Sequence, residues 1–122
     1  MSSTLFERIG GDAAVSAAVD IFYGKVISDE HINGFFEGVD MPKQMRKMKS
    51  FLSYAFGADT PFHGESMRVA HERLVKQGLS DSHFDAVKNH INTTLKELSV
   101  DQSIIDEVLD ITESTRKDVL NR

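Results

Sequence analysis

The chain has 122 residues, no cysteine and a formal net charge of -5. Disulfides, thiolate-held iron–sulfur clusters and cysteine-attached haem are therefore excluded, and scattered charge without a basic stripe argues against a nucleic-acid partner. A hydrophobic fraction of 40% supplies one modest core, no apolar run nears the roughly 20 residues that span a bilayer, and the first residues lack the basic-then-apolar order of a signal peptide. The expectation is one domain over residues 1–122, monomeric and cytoplasmic, with no membrane association.

Prolines occur only at Pro42 and Pro61, and apolar residues recur at spacings of three and four. Both features predict an all-α chain. Thr4-Leu5-Phe6-Glu7 fits a capping box that opens a short first helix, and Gly10-Gly11 ends it. Asp12 is expected to cap a second helix whose buried stripe is Val15, Ala18, Val19, Phe22 and Val26, with Tyr23 beside it. A short helix or turn follows over 29–36, where Gly34 and Gly38 bracket Phe35-Phe36. Asp40 caps the next helix, Pro42 sits in its first turn, and Gly57 ends it. Residues 58–64 read as a loop.

Helical periodicity resumes near Glu65 and stops at Gly78. Ser80 caps a helix carrying Phe84, Val87, Ile91, Leu95 and Leu98. Asp101 opens the last one, whose apolar positions run from Ile104 and Ile105 through Val108, Leu109 and Ile111 to Val119 and Leu120. The pattern amounts to roughly four substantial helices plus short ones, without repeats or linkers.

Five histidines are present. His31, His63 and His83 fall in polar turns or a helical first turn and read as exposed or capping residues. His90 reads as partly buried with no evident partner. His71 stands apart, because Met67, Leu74 and Val75 surround it on an apolar helical face. Spacing alone leaves open a core histidine bonded to a backbone carbonyl. A protein-only zinc cage is disfavoured, since zinc wants three or four protein ligands and none stands nearby in sequence. Haem needs a single axial histidine, because the porphyrin supplies four nitrogens.

Gln44, Lys47, Met48, Phe51 and Ala55 share one face of the helix over 40–56. Gln44 and Lys47 interrupt an apolar stripe. Either they sit at its rim, with the lysine reaching water, or a polar group is needed inside a pocket. Phe22, Tyr23, Phe35 and Phe36 taken alone read as core.

Together these segments resemble the group I truncated haemoglobins. Leu5-Phe6-Glu7-Arg8-Ile9-Gly10-Gly11 is similar to that family's opening, and Asp20-Ile21-Phe22-Tyr23-Gly24-Lys25-Val26 to its second helix. Phe35-Phe36 before Gly38 resembles its haem-packing phenylalanines, and Met67-Arg68-Val69-Ala70-His71 its proximal segment. Gly78-Leu79 through His83-Phe84-Asp85-Ala86-Val87 resembles the loop and helix that follow. Phe51-Leu52-Ser53-Tyr54-Ala55-Phe56-Gly57 and Lys117-Asp118-Val119-Leu120-Asn121 are similar to cyanobacterial members. The resemblance runs from Thr4 to Arg122.

It implies a truncated globin fold, a two-over-two α-helical sandwich around haem b (iron protoporphyrin IX). His71 would bind the iron, and Tyr23 and Gln44 would be distal hydrogen-bond donors. Phe36 would pack on the porphyrin plane, Arg68 or Lys47 would pair with a propionate, and Met48 and Phe51 join the haem-contacting residues. Met48 stands where the family often has a second distal glutamine, so a thinner distal network is expected. Lys47 stands where some cyanobacterial relatives place an iron-binding histidine. Some algal relatives use lysine there, as the neutral amine, a state that is costly at neutral pH. Some relatives bond haem covalently through a C-terminal histidine. Ser114-Thr115-Arg116 occupies that region here, so non-covalent haem is expected.

The implied function is reversible binding of oxygen, nitric oxide or carbon monoxide. The resemblance leaves open nitric oxide dioxygenation or peroxidase-like chemistry, which would need a separate reductase. It also leaves open a hexacoordinate electron-transfer or sensor protein closed by Lys47. A cofactor-free helical bundle is the remaining reading.

Overall fold

A computed structural model describes residue 7, residues 9–57 and residues 64–122, with backbone alone at 64–67 and 70. The capping box expected of Thr4 and Glu7, the loop over 58–63 and His63 lie outside this set wholly or in part. The elements are α1 (Gly11–Ile27), a 3-10 turn (Asn33–Phe36), α2 (Met41–Ala55), α3 (Gly64–Lys76), α4 (Asp81–Glu97), α5 (Gln102–Ser114) and α6 (Arg116–Val119). No strand occurs among the described residues. Five of these helices have 13 to 17 residues, one more substantial helix than expected.

Two helix pairs form the body. α1 packs on α2 and on α4, and α5 packs on α4 and on α2, which closes a two-over-two ring. α3 instead packs chiefly against the short α6. The central cluster includes Val15, Phe22, Val26, Leu52, Phe56, Leu95, Ile105 and Val108, none more than 2% exposed. Phe84, Val119 and Leu120 form a second, smaller cluster with Leu79 against it. No described helix is long and apolar enough to cross a membrane.

Local chemistry sets the helix ends. α1 begins from Gly10 and Gly11, at φ 115° and 67°. A Cβ on Gly10 would approach the Cβ of Ala14 to 3.2 Å in a backbone conformation that disfavours side chains anyway. Asp12 is therefore not the N-cap expected from the sequence. It lies in the first turn, where a carboxylate complements the helix dipole, and pairs with Lys49 of α2 at 2.9 Å. Asp40 does cap α2, accepting from the Lys43 amide at 3.2 Å, and Pro42 fills the first turn. Ser80 precedes α4, and its amide donates to Nδ1 of His83 at 2.9 Å, one arm of a capping box.

Helices α3, α4 and α6 end alike, on a left-handed residue whose successor donates back five positions. Gly78 (φ 104°), Ser99 (φ 59°) and Asn121 (φ 58°) take that place. The closing bonds run from Leu79 to Leu74, Val100 to Leu95 and Arg122 to Lys117.

The single helix expected after Asp101 is broken at Thr115. Hydroxyls explain the break. Thr112 donates to the Val108 carbonyl at 2.8 Å and Thr115 to the Thr112 carbonyl at 2.6 Å, and Ser114 bonds back to Ile111 in the same way. Such back-bonding competes with the helical ladder and bends the chain.

Replacing Leu95, which is 1% exposed, with alanine is expected to cost about 2–5 kcal/mol in urea unfolding. Ser99→Gly is expected to stabilise by up to about 1 kcal/mol, because glycine relieves the left-handed strain. A lowered midpoint for Ser99→Gly would contradict the closing geometry of α4.

Candidate functional site

Tyr23 belongs to the last third of α1 and is 4% exposed. Its ring meets the edges or faces of Phe22 and Phe36, with centroids 4.9 Å and 5.9 Å away. A buried hydroxyl needs a polar partner. Gln44, in the first turns of α2, provides it: its Nε2 donates to the Tyr23 oxygen at 3.2 Å. The phenol accepts in this bond, so its own hydrogen stays available, and no described residue accepts it. Burial pushes the Tyr23 phenol up to about 12, an effect that the Gln44 bond partly offsets.

Met48 and Phe36 pack against the central cluster, and Phe51 is buried within it. Tyr23, Gln44 and Phe36 thus come together where α1, α2 and the 3-10 turn meet, and Met48 and Phe51 follow Gln44 along α2 at spacings of four and seven. Lys47 is exposed, one turn beyond Gln44 on the same helix. His71 is half-buried on α3. Arg68 lies one turn before it. Its Nη1 donates to Asp118 at 3.1 Å and to the Arg122 carbonyl at 3.2 Å.

Two features escaped the sequence reading. His90, read as lacking a partner, bonds through Nε2 to Asp29 at 2.7 Å. Asp29 is held below the usual carboxylate range, first by that bond and then by the His31 amide. The partners are 61 positions apart, so no local signal links them. Arg116, noted only as a neighbour of Thr115, is a hub. It pairs with Glu113, Asp85 and Asp81 and lies over the Phe84 ring, 4.4 Å from its centroid. Arg116 and then Lys88 hold Glu113 down to about 2. His31 stacks on His83, centroids 4.4 Å apart, which joins the turn after α1 to the start of α4.

The donor set suits a haem. Among the described residues no three His, Asp or Glu side chains gather to hold a metal ion by themselves. What the chain offers is one histidine on a separate helix, Phe36, Met48 and Phe51 in or against the central cluster, and a buried phenol whose oxygen accepts from Gln44. That chemistry matches a planar apolar group bearing a single metal.

Fold and donor set define a globin of the abbreviated, two-over-two class. The model of the bacterial-like globin family matches residues 4–121. The chain is 46% identical to the group 1 truncated hemoglobin GlbN of Synechocystis sp., over 98% of this chain and 99% of that one. It is 39% identical to a group 1 truncated hemoglobin of Tetrahymena pyriformis, over 98% and 96%. The crystal structure of the 2/2 hemoglobin of Synechococcus sp. PCC 7002, in the cyanomet state and with covalently attached heme, superposes with a TM-score of 0.92 at 50% identity, over 98% and 100%. The structure of Chlamydomonas reinhardtii THB1 superposes with a TM-score of 0.85 at 39% identity, over 98% of each chain. The chain belongs to the bacterial-like globins, and among them to the group 1 truncated haemoglobins, a family that binds haem and diatomic ligands.

The raised Tyr23 phenol carries a pH consequence. Its unfolded value is 10.0 and its folded value about 12, so the folded state holds the proton more tightly. Its contribution to stability is complete below pH 10 and is lost as pH rises through about 12. Ultraviolet titration of tyrosinate should show a late phase that disappears in Tyr23→Phe. Gln44→Leu removes the bond that favours the phenolate and should move that phase higher. A single phase near 10 for both tyrosines in the wild type would contradict the buried placement of Tyr23.

Proposed function

We propose that this chain binds haem b non-covalently and takes up oxygen, nitric oxide or carbon monoxide reversibly, with His71 as the proximal ligand. The observation that carries the reading is the Gln44–Tyr23 pair, a buried phenol whose oxygen is occupied and whose hydrogen is available. When bound, the haem would supply an iron able to take up a small diatomic molecule. The other roles fall to side chains. His71 can bind metal as the neutral imidazole while its other nitrogen is oriented by the protein. Tyr23 directs its hydrogen toward a polar diatomic ligand, and Gln44 fixes the angle from which it does so. Neither adds a charge to the pocket. The apolar surroundings strengthen both bonds relative to water.

Phe36, Met48 and Phe51 are assigned to the porphyrin faces and rim. Arg68 and Lys47 are the candidate propionate partners, with Arg68 already shared with Asp118. Thr115 gives its hydroxyl to the Thr112 carbonyl, and the region 114–116 offers no imidazole to a vinyl group, which supports non-covalent haem. One domain over residues 1–122, acting as a monomer in the cytoplasm, completes the reading.

A second reading rests on Lys47. It is exposed and one turn from Gln44, so its side chain is not committed to the core. We assign its amine as a competing sixth ligand. Only the neutral amine coordinates, so this ligation should rise with pH.

Absorption spectra of the wild type and Lys47→Ala, ferric and ferrous, between about pH 6 and 10, test this. Under this second reading the ferric wild type is low-spin and turns high-spin in Lys47→Ala. Identical high-spin spectra would remove Lys47 from the iron and leave the open site. His71→Gly should lose the wild-type Soret spectrum, and retention of that spectrum would overturn the proximal assignment. Tyr23→Phe should release oxygen roughly 10- to 100-fold faster, the range set by one hydrogen bond to a charged or strongly polar acceptor. Unchanged release would place the donor elsewhere.

A further inference from the structure

Helix α3 is not part of the two-over-two body. Its main packing partner is α6, and among the described residues hydrogen bonds join it to the chain's last residues. Arg68 donates to Asp118 and to the Arg122 carbonyl, and Asn121 Nδ2 donates to the Arg68 carbonyl at 3.1 Å. Residues 68 and 71 are neighbours on one helical face.

The far end of this connection is fixed. Arg116 pairs with Asp81 and Asp85, Arg122 pairs with Asp81 at 2.7 Å, and Val119 and Leu120 pack on Phe84. α6 is therefore a strut between the start of α4 and the helix that carries His71.

The two kinds of bond in the strut are unequal. The Arg68 and Asp118 side chains are 38% and 34% exposed, and an ion pair so hydrated contributes little. The Asn121 amide is part-buried and its acceptor is backbone, so it fixes where the helix lies. Asn121 also sits at φ 58°, closing α6, a conformation that asparagine tolerates better than most residues. One residue thus ends α6 and grips α3.

We infer that Asn121 is a positioning residue for His71: its amide, bonded to the Arg68 carbonyl, sets the placement of α3 and so the approach of the imidazole to the haem iron. The inference rests on the assignment of His71 as the proximal ligand.

Asn121→Gly keeps the left-handed backbone and removes the amide with both its bonds, to the Arg68 carbonyl and, within the closing turn, to the Asp118 carbonyl at 3.3 Å. Asn121→Asp keeps the shape and removes the donor. The haem-loaded ferrous proteins are compared by the iron–histidine stretching band in resonance Raman spectra and by haem transfer to excess apomyoglobin. Both variants should show a shifted or broadened band, and transfer about fivefold faster, the factor that one net hydrogen bond supports. Asp118→Ala should change transfer by less than about twofold. An unchanged band in Asn121→Gly and Asn121→Asp overturns the inference, even if thermal stability falls, because a merely structural role would leave the band in place. A protein whose iron–histidine band is absent in both the wild type and Lys47→Ala, where the competing sixth ligand is gone, or whose haem spectrum survives His71→Gly, instead refutes the proximal assignment itself.

Discussion

A phenol buried in a helical core must bond to something, and that need shapes the centre of this molecule. Tyr23 borders the apolar stripe of α1 and is carried inside when α1 packs on α2. Gln44 meets it there. The match depends on where each helix begins: α1 starts at two glycines that accept positive φ, and α2 starts at the Asp40 cap with Pro42 behind it. Shifting either helix by a residue would rotate a partner away by about 100°, which follows from 3.6 residues per turn. The direction of the bond matters as much as its presence. Because the amide donates, the phenol keeps a hydrogen for a third group, and the surrounding Phe22 and Phe36 make that hydrogen more effective than it would be in water.

The two sides of the proposed haem pocket are supported differently. The Tyr23 side belongs to the central cluster and shares its stability. The His71 side stands on α3, whose support comes chiefly through α6 and the residues after it. A ligand held between the two sides stabilises the folded state by binding it alone. In this arrangement the group that needs α3 in place also helps to keep it there.

Charge plays a supporting role. Lys25–Glu97 joins α1 to α4, Lys49–Asp12 joins α1 to α2, and Lys88–Glu113 joins α4 to α5. All three are at least partly hydrated, and such pairs contribute about 0–1 kcal/mol each. Arg116 differs in kind. Its side chain is 20% exposed, it serves three carboxylates, and its guanidinium rests on Phe84. Multiple partners around a planar cation restrict geometry more than a single hydrated pair does. It lies where α5 gives way to α6, at the point where the chain turns toward α3.

The sequence by itself determined the helical class, most helix boundaries and the inner faces of α1, α4 and α5, because a 3.6-residue period and the capping residues are local properties. It also presented Tyr23, Gln44, Phe36 and His71 as a set through the order of their motifs. Two readings failed for local reasons that composition does not reveal, Gly10 displacing Asp12 as the cap and back-bonding hydroxyls dividing the final helix, and a third failed because the partner of His90 lies far away in the chain. Tertiary structure alone decided which residues far apart in the chain meet. The Gln44–Tyr23 bond spans 21 positions, His90–Asp29 spans 61, and Asn121–Arg68 spans 53. Such contacts have no periodic signature. They exist because the crossing of packed helices fixes which side chains face one another, and only the folded chain sets that crossing.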